Sequence, residues 1–194
     1  MSSPATATAP VTAQQLRRAR LKMLAILLVC AAPVIASYLA YYVIKPSGRV
    51  NYGALIEPQR DLSALPVAPL DGPATSLAHY RGKWLLVAIA PGACDKACTD
   101  HLYALRQIRL TTGKDRDRIE RVLLVDDAGT PSAEVMTEYE GTVVARVQPS
   151  LVERSFPAEE GARPSDHLYV IDPLGNLMMR FPRNVDLNRM KKDV

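Results

Sequence analysis

Cys94 and Cys98 are the two residues of this sequence whose type and spacing most directly promise chemistry. They lie in Pro91-Gly-Ala-Cys-Asp-Lys-Ala-Cys98, where a loop runs into a helix. Two thiols four residues apart in a loop and first helical turn can lie on one side. They can then close a disulfide or chelate one soft metal ion. A helix N-terminus lowers a thiol pKa through its dipole and so favours the thiolate that either role needs. Lys96, between the two, pushes the same way. An inert structural disulfide is the plainer alternative, but a strand-to-helix turn is where thiol pKa tuning is available.

Other side chains compete for a place beside the pair. His101, three residues after Cys98, can offer a nitrogen on the same helix face, although an isolated helical histidine is more often solvated. His79 reads as a surface residue, and His167 as either a site residue or a satisfied histidine at a strand edge. Asp95, Asp100 and Asp166 could orient an imidazole or simply serve as loop and cap residues. Met178 and Met179 carry soft sulfur, but methionine in a strand is usually core. Asp126-Asp127 is weak evidence for a cation site. No Gly-rich phosphate loop, His-Glu-x-x-His motif or nucleophile elbow is present.

The elements that must position these residues follow from the apolar pattern. Trp84 to Ala90 is a continuous apolar run, as in a strand buried on both faces. A helix is expected over Lys96 to Thr111, with Leu102, Leu105 and Ile108 on one face and Gly113 ending it. Strands follow at Arg121 to Val125, Thr142 to Val147, His167 to Ile171 and Leu177 to Phe181. The last two are joined by the turn Asp172 to Asn176. Helices are expected at Ser132 to Tyr139, with Thr130-Pro131 as cap and first position, at a turn over Leu151 to Phe156, and from Asp186 onward. The order is that of an α/β domain with a central mixed sheet and flanking helices, the layout of a thioredoxin-like domain.

The chain has 194 residues and a net charge of +4. No acidic residue precedes Glu57, and Arg17, Arg18, Arg20 and Lys22 stand in a short N-terminal arm. Residues 45–194 carry 20 basic and 20 acidic residues, so the folded part is neutral and nucleic acid is excluded as a partner. Met23 to Ile44 is 22 residues without a charge. As a helix it is about 33 Å long, enough for a hydrocarbon core of about 30 Å. Membrane helices tolerate Pro33, and Tyr38, Tyr41 and Tyr42 cluster at one end as interfacial aromatics do. Cys30 reads as a lipid-facing or packing residue. The apolar run continues past any cleavage site, which favours an uncleaved anchor over a signal peptide. The basic flank puts the N-terminus in the cytoplasm and residues 45–194 across the membrane. The expected organisation is a disordered basic cytoplasmic arm over 1–22, a transmembrane helix over 23–44, an extended Pro-rich tether over 45–75 and the thioredoxin-like domain over 76–194.

Taken together, these features resemble the SCO/SenC family, whose members assist copper insertion into cytochrome c oxidase. The resemblance rests on the tyrosine-rich single anchor, on Trp84 to Cys98 with its Cys-x-x-x-Cys loop, and on Asp166 to Gly175, where Asp166-His167 precedes a strand ending in Ile171-Asp172-Pro173-x-Gly175. It covers about residues 23–192. The pattern is also similar to a divergent group of small transmembrane proteins associated with oxidase biogenesis in proteobacteria, and the chain is placed there. The resemblance implies copper held by two thiolates and one imidazole, which fall on Cys94, Cys98 and His167. It implies a single-pass protein of the bacterial inner membrane with a periplasmic domain. The implied partner is a cytochrome c oxidase subunit or another copper or thiol assembly protein. The expected role is a metallochaperone or assembly factor rather than an enzyme. The alternatives are a thiol–disulfide oxidoreductase, in which Cys94 attacks and Cys98 resolves, and a non-catalytic assembly scaffold.

Overall fold

The computed structural model describes residues 13–44 and 51–194. These belong to two units divided between Arg49 and Val50, each described by itself.

The first unit is a single helix. α1 runs over Ala13–Leu39 and closes in a π-helical turn over Ala40–Ile44. It begins ten residues earlier than the apolar run, so residues 13–22 are helical where the sequence predicts a disordered arm. Ala, Gln, Leu, Arg and Lys are all good helix formers, and no breaker separates them from the apolar segment. Residues 1–12 of the expected arm lie outside the described residues. No side chain of α1 is buried, and its Ala13–Val43 stretch, which contains an 18-residue window of mean hydropathy 2.3, is long and apolar enough to cross a membrane.

The second unit is built on β4 (Trp84–Ala90), a strand whose last six residues are buried. It pairs in parallel with β5 (Ile119–Val125) and antiparallel with β7 (Leu168–Ile171). β5 pairs in parallel with β6 (Thr142–Arg146), and β7 forms a hairpin with β8 (Asn176–Arg180). Three further strands complete the sheet: β1 (Ala54–Asp61), β2 (Pro66–Pro69) and β3 (Thr75–Ser76). The strand order is β1-β8-β7-β4-β5-β6-β2-β3. The expected thioredoxin-like mixed sheet is present, but it starts well before residue 76. β1 pairs antiparallel with β8, and β2 with β6. The segment expected to be a tether is therefore extended but stitched into the sheet from Ala54; residues 45–50 of that tether lie outside the described residues. Its prolines suggest a linker because proline cannot donate to a ladder, yet they stand where a ladder tolerates them. Pro58 falls in the irregular stretch of β1 between Leu55 and Arg60, and Pro66 and Pro69 are the ends of β2.

Strand pleating sends alternate residues of β4 to opposite faces. Leu86, Ala88 and Ala90 pack with α2 (Lys96–Thr111) through Cys98, Leu102, Leu105 and Ile108. The same face receives Tyr139, after α3 (Ala133–Glu138), and Met190 of α5 (Leu187–Met190). Leu85, Val87 and Ile89 pack on the other face with Leu77 and with Val152 of α4 (Pro149–Ser155). The cap of α3 differs from expectation. Ser132, not Thr130, is the N-cap, and its hydroxyl accepts from the Val135 N–H at 3.3 Å. Leu105 is 0% exposed and pins α2 to the sheet. Leu105→Ala should lower the unfolding free energy by about 2–5 kcal/mol, read by urea denaturation of the full chain in detergent micelles.

Candidate functional site

The cysteine pair is placed by the end of β4 and the start of α2. Beyond Ala90, the Gly92 N–H donates to Asp127 Oδ1 at 2.8 Å, and the Gly129 N–H donates to the same oxygen at 2.8 Å. One carboxylate oxygen thus ties the loop after β4 to the loop after β5. A Cβ on Gly92 would collide with the main chain of Gly129 and Thr130, so only glycine fits there. The Cys94 N–H donates to Pro91 O at 3.0 Å, and Cys94 takes a φ of +41°. For a residue with a Cβ, that left-handed conformation costs about 1–2 kcal/mol. Asp95 is the N-cap of α2, its Oδ1 accepting from the Cys98 N–H at 3.0 Å.

Cys94 and Cys98 are joined as a disulfide, with Cα atoms 5.0 Å apart. Both are buried, Cys94 at 7% and Cys98 at 2% exposure, so Cys94 is the more exposed residue of the pair. Once reduced, the two side chains can converge on one soft ion.

His167 sits at the end of a 3-10 turn over Pro164–Asp166, immediately before β7, and is 0% exposed. Both ring nitrogens are engaged by main chain. The Glu159 N–H donates to Nε2 at 3.3 Å, which leaves the proton on Nδ1, and Nδ1–H donates to Phe181 O at 2.9 Å. Burial holds its pKa below the ordinary histidine value. The Tyr169 hydroxyl donates to Pro157 O at 3.0 Å, further fixing the strand that follows this residue. Among the described residues, no group of three or more His, Cys, Asp or Glu side chains could hold a metal ion.

His101 is 8% exposed on α2 and lines a cleft of about 550 Å³ between that helix and residues 183–187. Burial also pushes its pKa down, although the Asp100 carboxylate opposes this, so its ring is neutral near pH 7. The acidic candidates each have a local task. Asp95 caps α2, Asp100 pairs with Lys96 at 2.8 Å, and Asp127 ties two loops. Asp166 accepts from the Arg163 N–H and from Arg183 Nη2, both at 2.9 Å, which holds its carboxyl below the usual range. Burial raises Asp126. Met179 is core and Met178 packs against it, while His79 is exposed against Tyr80. Cys30 is a free, exposed thiol on α1. The Asp127–Gly92–Gly129 tie was not foreseen from sequence; the Asp-Asp pair after a strand was its only signal.

Residues 84–194 match a family model described as a transmembrane-like, thioredoxin-like, C-terminal domain. No curated protein matches the chain by sequence. Solved structures share the fold at low identity. Apo Sco1 from Thermus thermophilus is 11% identical, with a TM-score of 0.54 over 76% of this chain and 96% of that one. Copper-bound ScoI from Arabidopsis thaliana is 15% identical, with a TM-score of 0.52 over 73% of this chain and 94% of that one. Copper-bound ScoI from Bradyrhizobium japonicum is 14% identical, with a TM-score of 0.50 over 73% and 96%.

The two buried rings set a pH dependence. Folded, His101 and His167 bind a proton less readily than in the unfolded chain. Below the ordinary histidine pKa of about 6.5, the unfolded chain takes up protons that the folded chain refuses, so stability falls as pH falls. Asp166 and Asp61, both held low, lose their contribution only below about pH 4, and Asp126, held high, acts in the opposite sense. The urea midpoint should therefore drop between about pH 7 and pH 5, and His101→Gln should flatten that drop. An unchanged slope in the variant would remove His101 from the account.

Proposed function

The chain belongs to the family of transmembrane-like proteins with a thioredoxin-like C-terminal domain, and on that premise we propose that it is a membrane-anchored assembly factor for a respiratory terminal oxidase. In this reading α1 is the anchor, in a bacterial inner membrane with the basic N-terminal end cytoplasmic and the domain periplasmic. The reduced Cys94–Cys98 pair takes up copper and passes it by ligand exchange to an oxidase subunit or to another assembly protein. The observation that carries the reading is the position of the pair. Two sulfurs stand at the start of a buried-strand-to-helix turn, in a fold shared with copper-bound ScoI structures. Thiolates are soft donors suited to Cu(I).

The disulfide must first be opened, and the greater exposure of Cys94 supports it as the point of attack. A partner thiolate attacks Sγ of Cys94, the more exposed residue of the pair, and Cys98 leaves as a thiolate. The partner's second thiol then attacks its own sulfur in the mixed disulfide. Cys94 is released as a thiolate, and the partner leaves as a disulfide. Two electrons pass to this chain. The α2 N-terminus favours both released thiolates.

A second reading is thiol–disulfide exchange without metal. It is favoured by the His167 ring, whose two nitrogens are already bonded to main chain. The separating experiment titrates the reduced full chain, in detergent micelles, with Cu(I) against a competing chelator. One tight equivalent is expected, lost in the Cys94→Ser/Cys98→Ser double variant. If the wild type binds no more than that variant, copper delivery is wrong. The reduction potential of the pair then becomes the quantity that separates exchange from a passive scaffold.

A further inference from the structure

The loop that carries Cys94 is held from outside itself. Asp127 Oδ1 accepts from the Gly92 N–H and from the Gly129 N–H, both at 2.8 Å. The loop over residues 128–130 is braced in turn from β6. Arg146 Nη2 donates to Thr130 Oγ1 at 2.8 Å and to Gly129 O at 3.3 Å. A chain of contacts thus runs from Arg146 through this loop to Asp127, and from Asp127 to Gly92, two residues before Cys94. Hydrogen bonds with an ionised partner are about twice as strong as neutral ones. The Asp127 and Arg146 bonds are of that kind.

Between Gly92 and α2 the chain has little slack. The Cys94 N–H donates to Pro91 O at 3.0 Å, Cys94 has a φ of +41°, and Asp95 is fixed as the N-cap of α2. The left-handed region is unfavourable for a residue with a Cβ, so Cys94 stays there only while its surroundings hold it. In the oxidised chain the bond to Cys98 does part of this. Once that bond is broken, the Asp127 tie at Gly92 and the Asp95 cap hold the loop from its two ends. With the tie, the reduced loop stays set for closure. Without it, Cys94 is free to leave the left-handed region, and closing the bond must first reorder the loop. Cutting the tie therefore releases the reduced state more than the oxidised one. By reciprocity, an intact tie favours the disulfide.

We propose that Asp127 is a positioning residue for the Cys94–Cys98 pair: by tying Gly92 to Gly129 it holds Cys94 ready for closure and makes the disulfide harder to reduce. Arg146 acts in the same direction at one remove, through Thr130 and Gly129. The inference concerns the disulfide itself. It goes beyond the copper and exchange readings and needs neither a metal nor a particular partner. A role confined to general stability would look different. It would weaken the oxidised and the reduced fold equally and leave the balance between them where it was.

The test equilibrates the full chain, in detergent micelles, with dithiothreitol at graded ratios of its dithiol and disulfide forms. The dithiol gives up two electrons and two protons and closes as a cyclic disulfide. The Cys94–Cys98 bond breaks and each sulfur takes up one proton. Every chain carries Cys30→Ser, so that the pair holds the only thiols, and alkylation read by mass counts the reduced molecules. Asp127→Ala is expected to shift the equilibrium about tenfold toward the reduced pair, a potential about 30 mV less negative. Asp127→Asn, whose amide oxygen still accepts from both N–H groups, should stay within about threefold of the parent chain. Arg146→Ala should move about threefold in the same direction as Asp127→Ala. The urea midpoint of Asp127→Ala should fall further for the oxidised chain than for the reduced one. An unchanged equilibrium in Asp127→Ala would overturn the proposal, whatever happens to its stability. An equal shift in Asp127→Asn would also overturn it, because the carboxylate charge and not the tie would then be acting. Should Asp127→Ala fail to fold, Arg146→Ala decides, and no shift or a shift toward the disulfide would overturn the assignment.

Discussion

The site depends on a close approach of two backbones. Where β4 and β5 end side by side, Gly92 and Gly129 come together so tightly that a Cβ on the first would strike the main chain of the second. A single oxygen of Asp127 accepts from both N–H groups and closes the contact. Everything at the cysteine pair is downstream of it. It fixes the direction in which the chain leaves β4, which lets Cys94 hold its left-handed backbone and lets Asp95 cap α2 at Cys98. The strand pairing that brings Gly92 to Gly129 is the seven-residue parallel register of β4 with β5. The sheet core and the disulfide are therefore a single unit.

Much of this was legible in the sequence because the signals were local. β4 is a seven-residue apolar run, and α2 repeats its apolar residues with helical period up to Thr111; both have the bounds that the pattern predicts. The hairpin of β7 and β8 was marked by Asp172-Pro-Leu-Gly, where Asp172 Oδ1 accepts from the Leu174 and Asn176 N–H groups. The segment over residues 54–76 was misread because its evidence is not local. β1 is a strand by virtue of β8, more than a hundred residues away, and β2 by virtue of β6. Alone, each is a short proline-bearing stretch with weak alternation. The cap of α3 was misplaced by two residues, because Pro131 looks like a first helical position while the hydroxyl that reaches a free N–H belongs to Ser132.

The disulfide was legible in the sequence, and the state of the histidines was not. Two cysteines four apart at a strand-to-helix turn announce themselves. A histidine's role depends on what its ring faces, and that is set by partners distant in sequence. His167 is held by residues eight and fourteen positions away, one before it and one after it. Nothing about Asp166-His167 as a dipeptide reveals this. His101 looked like one more solvated helical residue, yet residues 183–187 fold over the α2 face that carries it. Tyr52 holds that cover, its hydroxyl donating to Asn184 O at 2.9 Å and accepting from the Asp186 N–H at 2.9 Å.

Burial of both sulfurs has a kinetic meaning. Exchange needs a thiolate to approach along the axis of the bond it breaks, and access enters the rate as directly as thiol pKa does. A couple with 7% and 2% exposure is poorly reached by small thiols diffusing in the surrounding solvent. In the proposed reading, only a protein whose surface opens or matches the Cys94 loop would reach it. The pair is thereby insulated from the ambient redox buffer. If the pair exchanges with proteins as proposed, its oxidation state becomes a record of the last partner it met, held until the next one arrives.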